Sequence, residues 1–176
     1  LPNQYWIHKN HAVVLKALKL LSNKNKIIVV STGYNRDHRI GENFENLSKY
    51  IKRNGLSDRY IYLDVVNYNI VMSLMYHSIA VINPSKFEGW SSTVEQAKSM
   101  GKKLVLSKID VHQEQKPNRS YYFKPDDHVF LAKILINCWK NHNKIHDKKI
   151  INKHYNKLNK RLINYGKNFE KIITNL

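Results

Sequence analysis

The chain has 176 residues, 42% of them hydrophobic, and a formal net charge of +17. That is long enough for one domain with its own core and too apolar for a disordered chain. No apolar run approaches the ~20 residues of a membrane span, no basic head followed by an apolar stretch marks a secretory leader, and the one cysteine, Cys138, excludes an internal disulfide or a cysteine-built zinc site and suits a reducing, cytosolic setting.

In chain order, Ala12, Val13, Val14, Leu15, Ala17, Leu18, Leu20 and Leu21 predict a helix, with His8 or Asn10 capping its start. Residues 26–31 are a β-branched run closed by Thr32-Gly33-Tyr34. Phe44, Leu47 and Ile51 recur at helical spacing, and Gly55 is placed just past that helix. Residues 60–63 form the next strand, and Asn67 caps a helix carrying Ile70, Val71, Leu74 and Met75. A strand over 79–83, a helix over 93–100 ending at Gly101, a strand over 103–106 and a last short strand over 121–123 follow. Asp126 or Asp127 starts a helix through Leu131, Leu135 and Trp139. A linker over about 141–147 leads to a long polar helix over about 148–174. Its Ile151, Tyr155, Leu158, Leu162, Tyr165, Phe169 and Ile173 make one narrow apolar stripe, suited to packing on this domain or on a further one.

Strands that alternate with helices and are continuously apolar imply a parallel sheet covered on both faces. The expected fold is therefore α/β: a doubly wound, Rossmann-like domain over residues 1–140, then a linker and C-terminal helix over 141–176. A chain that opens at Leu1 with no strand before its first helix reads as a piece of a longer protein. Scattered Lys, Asn and Ile match AT-rich coding, so no nucleic-acid partner is expected, although a basic nucleic-acid-binding module and attraction to an anionic membrane surface also fit the charge.

The loops that follow the strands share one rim of such a sheet, where these folds bind ligands. Gly33, Val66, Pro84 to Ser92 and Ser107 to Glu114 all fall there. The richest stretch is Phe87-Glu88-Gly89-Trp90-Ser91-Ser92-Thr93-Val94-Glu95-Gln96. It puts an acid on a strand-to-helix turn beside a glycine and three hydroxyls. Backbone N–H groups opening the helix suit an anion such as phosphate. Ser92-Thr93-Val94-Glu95 also reads as a capping box, and Trp90 suits either stacking on a ligand or covering the sheet edge. His142 and His146 make one H-x-x-x-H spacing but no H-E-x-x-H motif occurs, and Asp126-Asp127 is not a D-x-D motif, so no metal is expected.

Lys86-Phe87-Glu88-Gly89-Trp90-Ser91 and the helix after it resemble the glycine-and-glutamate signature of group 1 (family 4) glycosyltransferases. Residues 3–11 resemble the segment that opens the nucleotide-sugar half of those enzymes, and Asn83-Pro84-Ser85 and residues 107–114 resemble a mannosyl- or rhamnosyltransferase-type subgroup of that family. The resemblance implies the C-terminal, donor-binding half of a GT-B enzyme, with an N-terminal acceptor domain outside this chain. It implies transfer of a hexose from a nucleotide diphosphate sugar, with retention, without a metal or other cofactor, in bacterial cell-surface polysaccharide synthesis. A cytoplasmic place, peripheral to the inner face of the membrane, and a lipid-linked acceptor go with it. Glu88 matches the first signature glutamate, beside the donor sugar, and Lys9 the lysine on the diphosphate. The second glutamate is replaced by Gln96, with Glu95 one residue early; either can hold the ribose. The usual arginine is replaced by Asn3, for which Gln4, His8 or the Ser91 and Ser92 amides can compensate. Gly33, Val66, Gly89, Trp90 and His112 complete the expected donor contacts. A fragment of this kind is expected to bind donor without turning over.

Overall fold

The computed structural model describes residues 1–21, 26–35 and 42–174. Its elements are α1 (His11–Leu20), β1 (Val29–Ser31), α2 (Asn43–Arg53), β2 (Tyr60–Tyr62), α3 (Tyr68–His77), β3 (Val81–Asn83), α4 (Ser92–Ser99), β4 (Leu104–Ser107), α5 (Asp110–Glu114), β5 (Ser120–Phe123), α6 (His128–Lys140) and α7 (Lys144–Thr174). A single 3-10 turn, Ile7–Lys9, precedes α1.

Every strand pairing is parallel. β1 pairs with β2, and β3, β4 and β5 form a second sheet in that order. The N-terminal residues run alongside β1, with Pro2 bridged to Thr32. The strands are apolar on both sides because both sides are covered. Ile82 and Val105 join a core with Val14, Leu18, Leu131 and Leu135, between the sheets and helices α1 and α6. Their neighbours Val81, Leu104 and Leu106 point the other way, onto Met75 of α3 and Val94 and Ala97 of α4. Each such buried aliphatic side chain contributes about 1.5–3 kcal/mol. The architecture is the expected α/β one.

Local chemistry sets the helix limits. Asn67 Oδ1 accepts from the Asn69 amide at α3, and Asp127 does the same for Phe130 at α6. Gly55 sits past α2 with φ +62°, as its position requires. Asn10 does precede α1, but as a left-handed residue (φ +57°) that makes no side-chain cap. Its amide is needed elsewhere, donating to Pro84 O and Pro125 O. The strands are shorter than their apolar runs, because pairing stops where the chain bends toward a helix.

The C-terminal segment differs from expectation. Helix α7 begins at Lys144, so the linker is three residues and Asp147 lies inside the helix. Arg119, Lys103 and His142 converge on Asp147 and fix this first turn. Burial would raise the Asp147 carboxyl, but these partners hold it below its ordinary value. Ile151 is buried, whereas Tyr155, Leu162, Tyr165, Phe169 and Ile173 are exposed. No described helix is long and apolar enough to cross a membrane.

Candidate donor-binding site

The rim after β3 is built from buried polar side chains. Asn83 and Ser85 are fully buried, which is tolerable only if each is hydrogen-bonded. Asn83 Oδ1 accepts from Asn3 Nδ2 at 3.0 Å, while its Nδ2 donates to Ser91 Oγ at 2.9 Å. Ser85 Oγ donates to Glu88 Oε1 at 2.6 Å. Both Glu88 oxygens accept from Lys9 Nζ, at 2.8 and 2.7 Å. The Lys9 and Glu88 side chains are only 11% and 9% exposed, so Glu88 is no surface loop acid. Burial pushes its carboxyl up, but Lys9, Ser85 and Asn83 outweigh that and hold it below the ordinary glutamate value.

Two elements far apart in sequence carry this pair. Lys9 ends the 3-10 turn that leads into α1, and Glu88 lies on the turn from β3 to α4. The Lys86 amide donates to His8 O at 2.7 Å, tying the two turns together. Ser107 Oγ donates to Ser85 O. Behind it His112 is fully buried, and its Nδ1–H donates to Ser107 O at 2.9 Å.

A groove of about 410 Å³ opens above the pair. Lys9 and Glu88 lie in it with Asn3, Gln4 and Gly33 on one side and Trp90, Ser91, Ser92 and Gln96 on the other. Gly33 has φ +140°, and a Cβ there would come within 2.4 Å of Asn3 O. Only glycine lets the β1 loop close on the N-terminal segment. Trp90 is 56% exposed and lines the groove.

Val66 and His112 lie outside this groove; His112 sits behind the Glu88 turn, and burial keeps its ring below the ordinary histidine value. The expected capping box needs correction. The helix cap is Ser91, not Ser92: Ser91 Oγ accepts from the Val94 amide at 3.3 Å. Glu95 closes no capping box. Its Oε1 accepts from Gln115 Nε2 at 3.0 Å and Lys98 Nζ at 3.4 Å, away from the groove. Gly89 is exposed, with open space around it. The structure adds Tyr68, at the start of α3, whose hydroxyl lies 3.5 Å from Gln96 Nε2 across the groove. It also adds Asn83 and Ser85 as the holders of Glu88. Polar residues at the end of a buried strand and just after it were the signal for these; Tyr68 had none beyond its place after Asn67.

Among the described residues, no group of three or more His, Cys, Asp or Glu side chains is placed to hold a metal ion. The groove instead offers one ammonium, one carboxylate, helix-start amides and polar side chains, the set that grips an anion and a polyol.

A family model for glycosyl transferases group 1 matches residues 3–169. The chain belongs to the group 1 glycosyltransferases. Solved glycosyltransferases share its fold. Anabaena Alr3699/HepE, solved in complex with UDP, superposes with a TM-score of 0.78 at 18% identity, over 99% of this chain and 47% of that one. The catalytic domain of the Helicobacter pylori cholesterol-α-glucosyltransferase gives 0.68 at 18% identity, over 94% and 96%. The lipopolysaccharide outer core galactosyltransferase WaaB, in its apo form, gives 0.66 at 18%, over 99% and 48%. The chain thus spans about half the length of the HepE and WaaB chains. A comparison with curated proteins finds no match.

Proposed function

We propose that this glycosyltransferase domain binds a nucleotide diphosphate sugar in the Lys9–Glu88 groove and supplies the donor half of a hexosyl transfer. The observation that carries the reading is the near-buried Lys9–Glu88 pair on the groove floor, beside the start of α4. On donor binding, Lys9 Nζ turns to the diphosphate with the Ser92 and Thr93 amides, and Glu88 is freed to accept from sugar hydroxyls. Glu88 orients the sugar and forms no bond to it. Catalysis rests on positioning and on stabilising the departing diphosphate. Gln96, which lines the groove, is the better ribose partner, since Glu95 is held by Gln115 and Lys98.

HepE has been solved with UDP and with UDP-glucose, which makes a UDP-hexose the first donor to try. Retention, independence of metal, the mannosyl- or rhamnosyl-type subgroup and a surface-glycan acceptor belong to the same proposal. So do a place at the inner face of the membrane and an acceptor-binding N-terminal domain, without which the isolated chain does not turn over. The domain division at about residue 140 is part of it too, though α7 packs on the β4–β5 side through Asp147.

The test is a thermal-shift series with UDP, GDP, ADP and dTDP, with and without EDTA. Ligand at 100 times its Kd adds about 2.7 kcal/mol, and each kcal/mol raises the midpoint by about 2–4 °C. A shift selective for UDP, unchanged by EDTA and lost in Lys9→Met and Glu88→Gln, is expected. No shift with any nucleotide, together with steeply salt-dependent RNA binding, would replace this reading with a nucleic-acid one.

A further inference from the structure

Three rings stand in a row just outside the donor groove. Trp6 and His8 lie with ring centroids 5.5 Å apart, and His8 meets Phe87 edge-on at 6.4 Å. Trp6 and His8 are half-buried. Phe87 is 68% exposed, and Ile7, between the first two in the chain, is 48% exposed. All four lie outside the groove. Exposed apolar side chains scattered singly need no explanation, but a contiguous set on one rim does.

Sequence and backbone both tie this row to the Lys9–Glu88 pair. His8 immediately precedes Lys9, and Phe87 immediately precedes Glu88, so each ring-bearing turn also carries one member of the pair. The Lys86 amide donates to His8 O at 2.7 Å and joins the two turns. The Lys9 amide donates to Trp6 O at 2.9 Å and the Asn10 amide to Ile7 O at 3.1 Å, which closes the turn under the first two rings. With the backbone held in this way, a ligand on the rings has little ordering cost to meet. Lys86 Nζ and Asp126 Oδ1 pair at 2.8 Å at the surface, one residue along the chain from Phe87.

Ring faces beside hydrogen-bonding groups fit one class of ligand. A pyranose carries flat patches of C–H bonds on its faces and hydroxyls around its edge. The C–H patch lies against the negative face of an aromatic ring, and the hydroxyls turn to charged side chains. Position then selects which sugar. The groove takes the donor, with its sugar at Glu88. An acceptor hydroxyl has to reach that sugar from outside the groove, and the ring row is continuous with the groove through the Glu88 turn.

We propose that Trp6, His8 and Phe87 form a stacking shelf for the terminal sugar ring of a glycan acceptor. The shelf supplies contact area and orientation and makes no bond in the transfer. Naming the bound sugar an acceptor rests on the donor reading of the groove; the binding of a glycoside to the shelf does not.

The test is an NMR titration of the 176-residue chain with the methyl α- and β-glycosides of glucose, galactose and mannose, and with butan-1-ol as an apolar control. Each is taken to about 100 mM, well above the millimolar Kd that so small a ligand reaches on an open surface. Ring signals of Trp6, His8 and Phe87 report the shelf, and the Ser92 and Gln96 amides report the groove. Saturable shifts of the shelf rings with at least one glycoside are expected, weakened at least ~3-fold in Phe87→Ala and restored in Phe87→Trp. No ring shift with any glycoside, or equal shifts in Phe87→Ala, overturns the proposal. A butan-1-ol response as strong as that to the glycosides overturns it, because the row is then a general apolar patch. A glycoside that moves the groove amides and is displaced by UDP overturns it, because that sugar sits in the groove. A concentration-dependent dimer that covers the rings and excludes glycosides does the same, since a second copy is then the occupant. The titration needs no nucleotide, so a groove that binds none defeats the donor reading and leaves the shelf readout intact.

Discussion

Lys9 and Glu88 are 79 positions apart, and only the fold brings them to 2.7 Å. Composition and periodicity could place each on a loop, and the motif resemblance could assign each a ligand, but neither showed that they pair with each other. That pairing has a testable signature. Removing one partner leaves the other charge buried, so Glu88→Ala is expected to cost about 2–4 kcal/mol in urea unfolding. The double change Lys9→Met with Glu88→Leu removes both charges and should cost under ~1.5 kcal/mol while abolishing nucleotide binding. If the double variant is as unstable as the single one, Asn83 and Ser85, not the ion pair, carry the stability of the turn. Ser91 shows the opposite limit of sequence reading. Three consecutive hydroxyls could each cap α4, and the choice among them depends on where the chain leaves β3, which is a tertiary fact.

At the level of elements, helices and strands were legible because their apolar periods differ and because Asn67, Asp127 and Gly55 punctuate them. The start of α7 was not. Lys144 to Lys148 looks polar, and its helical state depends on Arg119, Lys103 and His142 meeting Asp147. Gly101 is the companion contact. It has φ +67°, and a Cβ there would lie 2.6 Å from the His154 ring of α7. Gly101→Ala should therefore cost about 1–2 kcal/mol from the backbone alone and loosen α7, visible as faster exchange at residues 147–154. Beyond His154 the apolar stripe is largely open to solvent, with Tyr155, Leu162 and Phe169 exposed and Leu158 half-buried. Deleting residues 155–176 should shift the thermal midpoint by no more than about 2 °C, the range of surface changes. A larger loss would mean that the stripe is held by contacts within this chain.

For the whole molecule, two buried histidines, His11 and His112, are the first to respond to acid. His11 is stacked on Tyr5 at 4.0 Å, its Nε2–H donates to Gln4 O, and its Nδ1 accepts from the Tyr60 hydroxyl. Burial lowers its pKa to about 4, and burial also lowers that of His112. Both folded values lie below the unfolded ones, so the unfolded chain binds protons that the folded chain refuses. Stability therefore falls as pH drops through 6.5, and for His11 down to 4. At ~1.36 kcal/mol per pKa unit the His11 loss is up to about 3 kcal/mol. Glu88 and Asp147 act later. Their folded values are depressed, so the stability they contribute is present above their ordinary range and disappears only below it. The two histidines separate by variant. Urea unfolding at half-unit steps should show that His11→Gln flattens most of the fall from pH 6.5 to 4, at a lower stability near neutrality, while His112→Gln leaves most of it in place. A His11→Gln profile as steep as that of the parent chain would mean that His11 is hydrated in solution and that other groups carry the acid response.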